Sequence, residues 1–412
     1  MQSNNYTVRN DILERMKNKL WQTTSTGLHP LVEAYTVSDD YITDVKLIPY
    51  DITASKAHAS ALLAKGTITK QEYLQAIDAL HKLEQLVARG KFSIEVSQED
   101  CHTAIEQFLT DECGEIGKKI HTGRSRNDQS LVMIRLYAKQ TLQNTITLLT
   151  ELVDAYDNAI TAYGTIPMPG YTHMQKAMPT TVGTWLGAYR DGFADLQQLL
   201  PATLTIIDQN PLGSASGFGI SNYQLDRSIT TKELGFAKTQ ENPIYCAISR
   251  GYFENIVLQA LSPILLLAGK FASDMLLFTT AEFNLFSLPP QFTTGSSIMP
   301  QKRNYDVFEI MRGNSKVYHS LQQQIQDIVI GFGAGYQRDM QLTKKPFIDA
   351  TVLCEDTMGL LTEMVPNIIP NKSALEKDMT DELFVTNKVY DLVNSGMSFR
   401  DAYMQVKQDL FK

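Results

Sequence analysis

The chain has 412 residues, 43% of them hydrophobic, and its 45 acidic against 37 basic residues leave a net charge of -8. That length allows two or three domains with sizeable cores, and an acidic balance argues against general nucleic-acid binding, which needs a basic face. Four scattered cysteines, Cys101, Cys113, Cys246 and Cys354, show no C-x-x-C spacing, so neither a zinc site nor a disulfide framework is expected and a reducing cytoplasm fits.

In chain order, residues 1–17 carry no apolar signal core. Residues 72–89 place Leu74, Ile77, Leu80, Leu83 and Leu86 at three-residue steps before Gly90, which predicts a helix and its stop. From Ser130 to Tyr163 there is no Gly or Pro, and a helix of that length would run roughly 50 Å. Further helices are expected over 180–206, over 252–283 with a kink at Pro263, and over 305–330. The most apolar stretch, residues 264–269, is flanked by Glu254, Lys270 and Asp274, so no membrane span is expected. No short strands stand out. The fold class is therefore all-α, with a long central helical bundle over 111–365 and smaller helical domains at 1–110 and 366–412, the last entered through Pro366, Asn367, Pro370 and Asn371.

Chemistry is expected in the polar, Gly-rich segments between helices: 97–103, 121–129, 164–180, 209–227, 290–304 and 331–346. Residues 295–304, GSSIMPQKRN, combine a permissive glycine, a rigid proline, two hydroxyls and the cations Lys302 and Arg303, a composition suited to an anion but also to an ordinary turn. HTGRSRND at 121–128 holds Arg124 and Arg126, and YQRDMQLTKKP at 336–346 holds Arg338, Lys344 and Lys345 among hydrogen-bonding side chains. Such mixtures recognise carboxylate or phosphate. Of seven histidines, His102, His121 and His173 fall in polar segments, and His173 lies in PGYTHMQ, whose Pro-Gly entry restricts the backbone. His29, His58, His81 and His319 read as structural.

These motifs resemble the fumarase/aspartase superfamily. The 295–304 loop is similar to its signature loop, while HTGRSRNDQ, PGYTHMQ, EDCHTAIE (99–106), YQRDMQLTKKP and residues 381–403 resemble the argininosuccinate lyase/δ-crystallin branch, so the likeness covers nearly the whole chain. It implies a reversible β-elimination of argininosuccinate to arginine and fumarate, without metal or cofactor, in a cytoplasmic homotetramer whose active sites are shared between subunits. By resemblance Ser296 is the general base, Lys302 stabilises the developing charge and His173 serves the leaving nitrogen. Ser125, Arg126, Asn127 and Thr172, with His102 nearby, take the succinyl carboxylates. Asn304 fixes the substrate, and Asp44, Tyr336, Gln341 and Lys344 fall at its amino-acid end. Gln301 stands where adenylosuccinate lyases usually carry His.

Several positions depart from the branch. Asp40 occupies the place of a serine, Tyr305 that of a proline, and Gln337, Leu342 and Thr343 differ within their motif. Asn242 and Arg250 are kept without the usual acidic neighbours, and the C-terminal unit, ending at Lys412, is short. The alternatives implied are elimination on an N-acylated or other fumarate-releasing substrate, or a non-catalytic crystallin-like relative.

Overall fold

The computed structural model describes residues 29–410, and the 1–17 segment read for a signal core lies outside them. The principal elements are the helices α1 (Pro30–Val37), α2 (Ile48–Lys65), α3 (Lys70–Ala88), α4 (Cys101–Cys113) and α5 (Arg126–Tyr163), the strands β1 (Pro167–Thr172) and β2 (Gln175–Thr181), and the helices α6 (Val182–Ile207), α7 (Pro243–Phe278), α8 (Asp306–Val329), α9 (Lys344–Met364), α10 (Val385–Asn394) and α11 (Phe399–Leu410). The fold is all-α, as expected.

Two compact units share the chain. One takes the chain up to Gln143, Pro201–Ala260 and Leu321–Thr351; the other takes Asn144–Leu200, Leu261–Ser320 and Val352–Lys412. In the first unit, α3 opens on a capping box in which Thr69 Oγ1 accepts from Glu72 N–H and the Glu72 carboxylate accepts from Thr69 N–H. Its buried stripe is Ala76, Ala79, Leu80 and Leu83, while Leu74 is exposed. Three-residue steps lag the 3.6-residue turn, so a row of leucines spaced by three rotates off the core face. Beneath α3 lie the fully buried Leu47, Ile48, Ile52 and Leu62.

The second unit is built around aromatic rings. Trp185 stacks on Phe286 at 4.9 Å and on Phe271 at 5.8 Å, and Tyr156 and Phe308 meet Phe271 edge-on. Such pairs add to area burial. Their polar ends converge on Asp274, whose Oδ2 accepts from Trp185 Nε1 at 2.9 Å and from Tyr189 OH at 2.6 Å. Near the C-terminus α10 and α11 bury Val389, Ala402 and Val406 against one another.

One expectation is corrected. Strands do occur: β1 and β2 form an antiparallel hairpin at the PGYTHMQ motif, beside three further two-stranded or single-bridge pairings. At the start of α7 two helices run together across Arg250 and Gly251, where Gly251 adopts φ 73° and Arg250 ψ 128°, so the helix expected over 252–283 begins directly after this break, with Pro263 inside it. A proline removes one hydrogen bond, whereas a left-handed residue reverses the local path of the chain. A Cβ at Gly251 would also collide with the Val329 side chain, and Glu254 recaps the helix by accepting from Gly251 N–H at 2.8 Å. Helix α7 is long and apolar enough to cross a membrane, but 56% of its most apolar window is buried in the protein.

Candidate active site

HTGRSRND works first as a helix start. Ser125 Oγ accepts from Asn127 N–H at 3.3 Å, and Asp128 Oδ1 accepts from Ser125 N–H at 2.8 Å, a capping arrangement that begins α5 at Arg126. Asp128 Oδ2 also accepts from Gly213 and Ala215 N–H. Burial nevertheless pushes the Asp128 carboxyl up to about 6, against those three backbone donors. Ser125 and Asp128 thus aim the next residues, Arg126 and Asn127, into a cleft of about 280 Å³.

That cleft belongs wholly to the first unit, and its lining includes His102, Arg126, Asn127, Tyr336, Gln341 and Lys344 of the residues expected from sequence. Arg126 is held by Glu99 Oε2 at 3.0 Å and Thr103 Oγ1 at 2.9 Å, with Asp100 at 3.6 Å. Lys344 is 4% exposed, and its ammonium lies 2.7 Å from both Asp40 Oδ2 and Asp44 Oδ1. Burial works against that charge, but the two carboxylates outweigh it and push the Lys344 ammonium up. One ammonium cannot neutralise two carboxylates. The surplus falls on Asp40, which burial, with Asp44 adding, pushes up to about 6 despite Lys344. Gln341 donates to the Thr36 and Val37 carbonyls, tying the end of α1 to the cleft, and burial pushes the Tyr336 phenol up so that it stays protonated.

Two of the expected site residues serve the fold in this arrangement. Asp44 is fully buried and accepts from Lys344 and from Cys101 N–H, and Ser125 is the cap of α5; neither lines the cleft. Arg250, Asp40 and Ser130 line it although the site set read from sequence lacked them. Arg250 is placed by the α7 break and donates to Ser130 Oγ at 2.7 Å and the Met340 carbonyl at 3.3 Å. The signal for it was the Ser-Arg-Gly run interrupting an otherwise continuous apolar helix.

Thr172, His173, Ser296, Lys302 and Asn304 lie in the second unit. Thr172 pairs with Gln175 across the hairpin, leaving His173 and Met174 as its two-residue turn with φ 52° and 62°. Two left-handed central residues are the pattern of a type I′ turn, which usually selects Asn and Gly. Holding His and Met there stores strain, and strained backbone collects at functional sites. The 295–303 loop is stapled by Thr294 N–H to the Asn304 carbonyl at 3.0 Å and by Asn304 N–H to the Thr294 carbonyl at 2.9 Å. Inside it, Ser296 Oγ accepts from Met299 N–H at 3.1 Å and Ile298 N–H at 3.3 Å. Two backbone donors on one hydroxyl oxygen favour its alkoxide. Lys302 is exposed and its N–H donates to the Met299 carbonyl.

Among the described residues, ligand atoms of Asp51, Cys101 and His102 gather within 4.8 Å, all buried. Burial pushes the Cys101 thiol well up, and His102 Nδ1 is already bonded to Asp51 at 2.6 Å, so the trio is a hydrogen-bonded cluster.

Long helices with a polar cleft in one unit and a Gly-Ser loop and a strained His-Met turn in the other are the features to set beside known proteins. The lyase family profile matches residues 28–317. A fumarate lyase:delta crystallin from Brucella melitensis shares the fold with a TM-score of 0.77 at 16% identity, over 93% of this chain and 89% of that one. Argininosuccinate lyase of Thermotoga neapolitana is 42% identical over 393 residues, covering 95% of this chain and 98% of the relative. The corresponding Parabacteroides distasonis protein is 39% identical over 96% of this chain and 88% of its own length. The chain belongs to the argininosuccinate lyase family, and is a carbon-nitrogen lyase.

Proposed function

We propose that the protein cleaves argininosuccinate to arginine and fumarate, a step of arginine biosynthesis, in the cytoplasm. The observation that carries this reading is the 42% identity with an argininosuccinate lyase over almost the whole of both chains.

The local chemistry supports it residue by residue. The Ser296 alkoxide, favoured by the Ile298 and Met299 N–H groups, takes a proton from the carbon beside a substrate carboxylate. The C–H electron pair passes into that carboxylate as a dianionic aci-form, stabilised by the Lys302 ammonium. The pair then returns to form the C=C bond of fumarate while the C–N bond breaks. His173 delivers the proton that the departing guanidinium nitrogen requires. Arg126, Asn127, Thr172 and Asn304 hold the succinyl part, and Tyr336, Gln341 and Lys344 the amino-acid part.

The working form is a homotetramer whose active sites draw on more than one subunit. Its support is the exposed apolar side chains Ile244 and Ile248 of α7 in the first unit and, separately, Ile310 and Val317 of α8 in the second, side chains that a helix normally buries. Fumarate release, followed by ultraviolet absorbance, tests the reaction, and argininosuccinate should be turned over in preference to succinylated analogues. Absence of fumarate with argininosuccinate would overturn the reading.

A further inference from the structure

The two ring nitrogens of His102 have unequal surroundings. His102 is 4% exposed at the cleft wall, and its Nδ1 lies 2.6 Å from Oδ2 of Asp51, a residue of α2 that is 1% exposed. Nε2 is also buried and has no hydrogen-bond partner among the described residues. Buried polar atoms are rarely left unpaired, so an unpaired one at the wall of a cleft marks a place where a ligand atom is expected.

We propose that Asp51 is a positioning residue that holds the His102 ring through Nδ1–H and turns Nε2–H toward the cleft, where it donates to a carboxylate of the substrate. The identity of that substrate rests on the lyase reading above; the pinned ring does not. With Nδ1–H fixed by Asp51, a neutral ring would offer a lone pair at Nε2 and repel a carboxylate, whereas the imidazolium offers a donor. Charge therefore decides whether this contact forms.

The groups around the ring settle its charge. Asp51 faces it from α2, Asp44 from the turn before α2, Asp100 from the cap of α4, and Cys101 and Glu106 from α4 itself. Arg126 of α5 and Lys344 of α9 oppose them through Asp100, and His121, which burial and then Arg124 push down to about 4, is neutral. Burial disfavours the imidazolium, but Asp51, Asp100 and Asp44 outweigh it and push His102 up. The raised value extends the pH range over which the donor is present, and the donor is lost as pH rises through it.

Nitrogen-15 NMR of the histidine-labelled full-length enzyme, paired with calorimetric binding of fumarate across pH, tests this. Both His102 nitrogens should carry protons at pH 7, and fumarate affinity should fall roughly tenfold as the ring deprotonates, the size of one charge-assisted hydrogen bond. Asp51→Asn should move both midpoints together to lower pH, and His102→Gln should erase that part of the pH dependence. A ring neutral at pH 7, or an Asp51→Asn enzyme that folds and keeps the wild-type midpoint, overturns the proposal. If Asp51→Asn does not fold, the wild-type spectrum and His102→Gln decide. Wild type that shows the His102-dependent binding yet releases no fumarate from argininosuccinate refutes the reaction and leaves the pinned ring standing; the reverse pattern refutes the ring alone.

Discussion

The polar cleft of the first unit and the loops of the second that carry the proposed catalytic groups are organised by different forces. In the cleft, buried or half-buried charges are paired with one another: Arg126 with Glu99, Lys344 with Asp40 and Asp44, and His102 with Asp51. In the loops, Ser296 and His173 are held almost entirely by backbone, through two N–H donors and a left-handed turn. Buried ion networks fix side chains rigidly but tie site residues to stability, because removing one partner strands the other. Backbone-held groups can be altered with little effect on the fold. The cleft should therefore fail by losing structure and the loops by losing chemistry.

Ser296→Ala should give the largest effect, a loss of at least about a thousandfold in kcat, since it removes the proposed base, while thermal unfolding stays near wild type. Near-normal fumarate release would reject Ser296 as base. Lys344→Met should destabilise the fold by about 3–5 kcal/mol, because Asp40 and Asp44 lose their shared cation. Denaturant unfolding measures it, and a change below about 1 kcal/mol would show the cleft to be less tightly coupled to the fold than its geometry indicates. His173→Asn should lower kcat about a hundredfold with little change in stability, as Asn tolerates the left-handed turn that φ 52° requires. A large stability loss there would contradict the backbone-held picture.

The smallest effect is one of pH. The Asp40 carboxyl is raised to about 6, above its unfolded value of roughly 3.9. Between those values the folded chain binds a proton that the unfolded chain has released, so this group makes stability fall as pH rises from about 4 to 6. Asp40→Asn should remove that contribution, flattening the dependence by about 1 kcal/mol in denaturant unfolding at pH 4.5 and pH 7. Asp128, raised in the same direction, leaves a residual slope.

How far the sequence could be read follows the same division. The long helices were legible because Gly and Pro are absent from 130–163 and apolar residues repeat at helical spacing. The β1–β2 hairpin was not, because its strands contain Pro167, Pro169 and Pro179 and its turn is His-Met where Asn-Gly would signal it. The start of the helix at 252 was legible, but not that a further helical stretch from Pro243 precedes it across the left-handed Gly251. Site residues carried by resemblance come with identities and without hydrogen-bond partners. Nothing in HTGRSRND alone says that Ser125 is occupied with capping α5, nor in VSDDYITD that Asp44 lies fully buried under Lys344. Arg250 was left out of the site set because its place in the cleft depends on a backbone reversal just before the helix expected from residue 252, which residue types alone do not fix.

The staple between Thr294 and Asn304 has one more consequence. It closes the loop with two main-chain hydrogen bonds that depend on no side chain between them, and closing so short a segment costs little chain entropy. Residues 295–303 are thereby a cassette: their wording can be rewritten, by evolution or by grafting from a relative, while the helices that carry it need no revision.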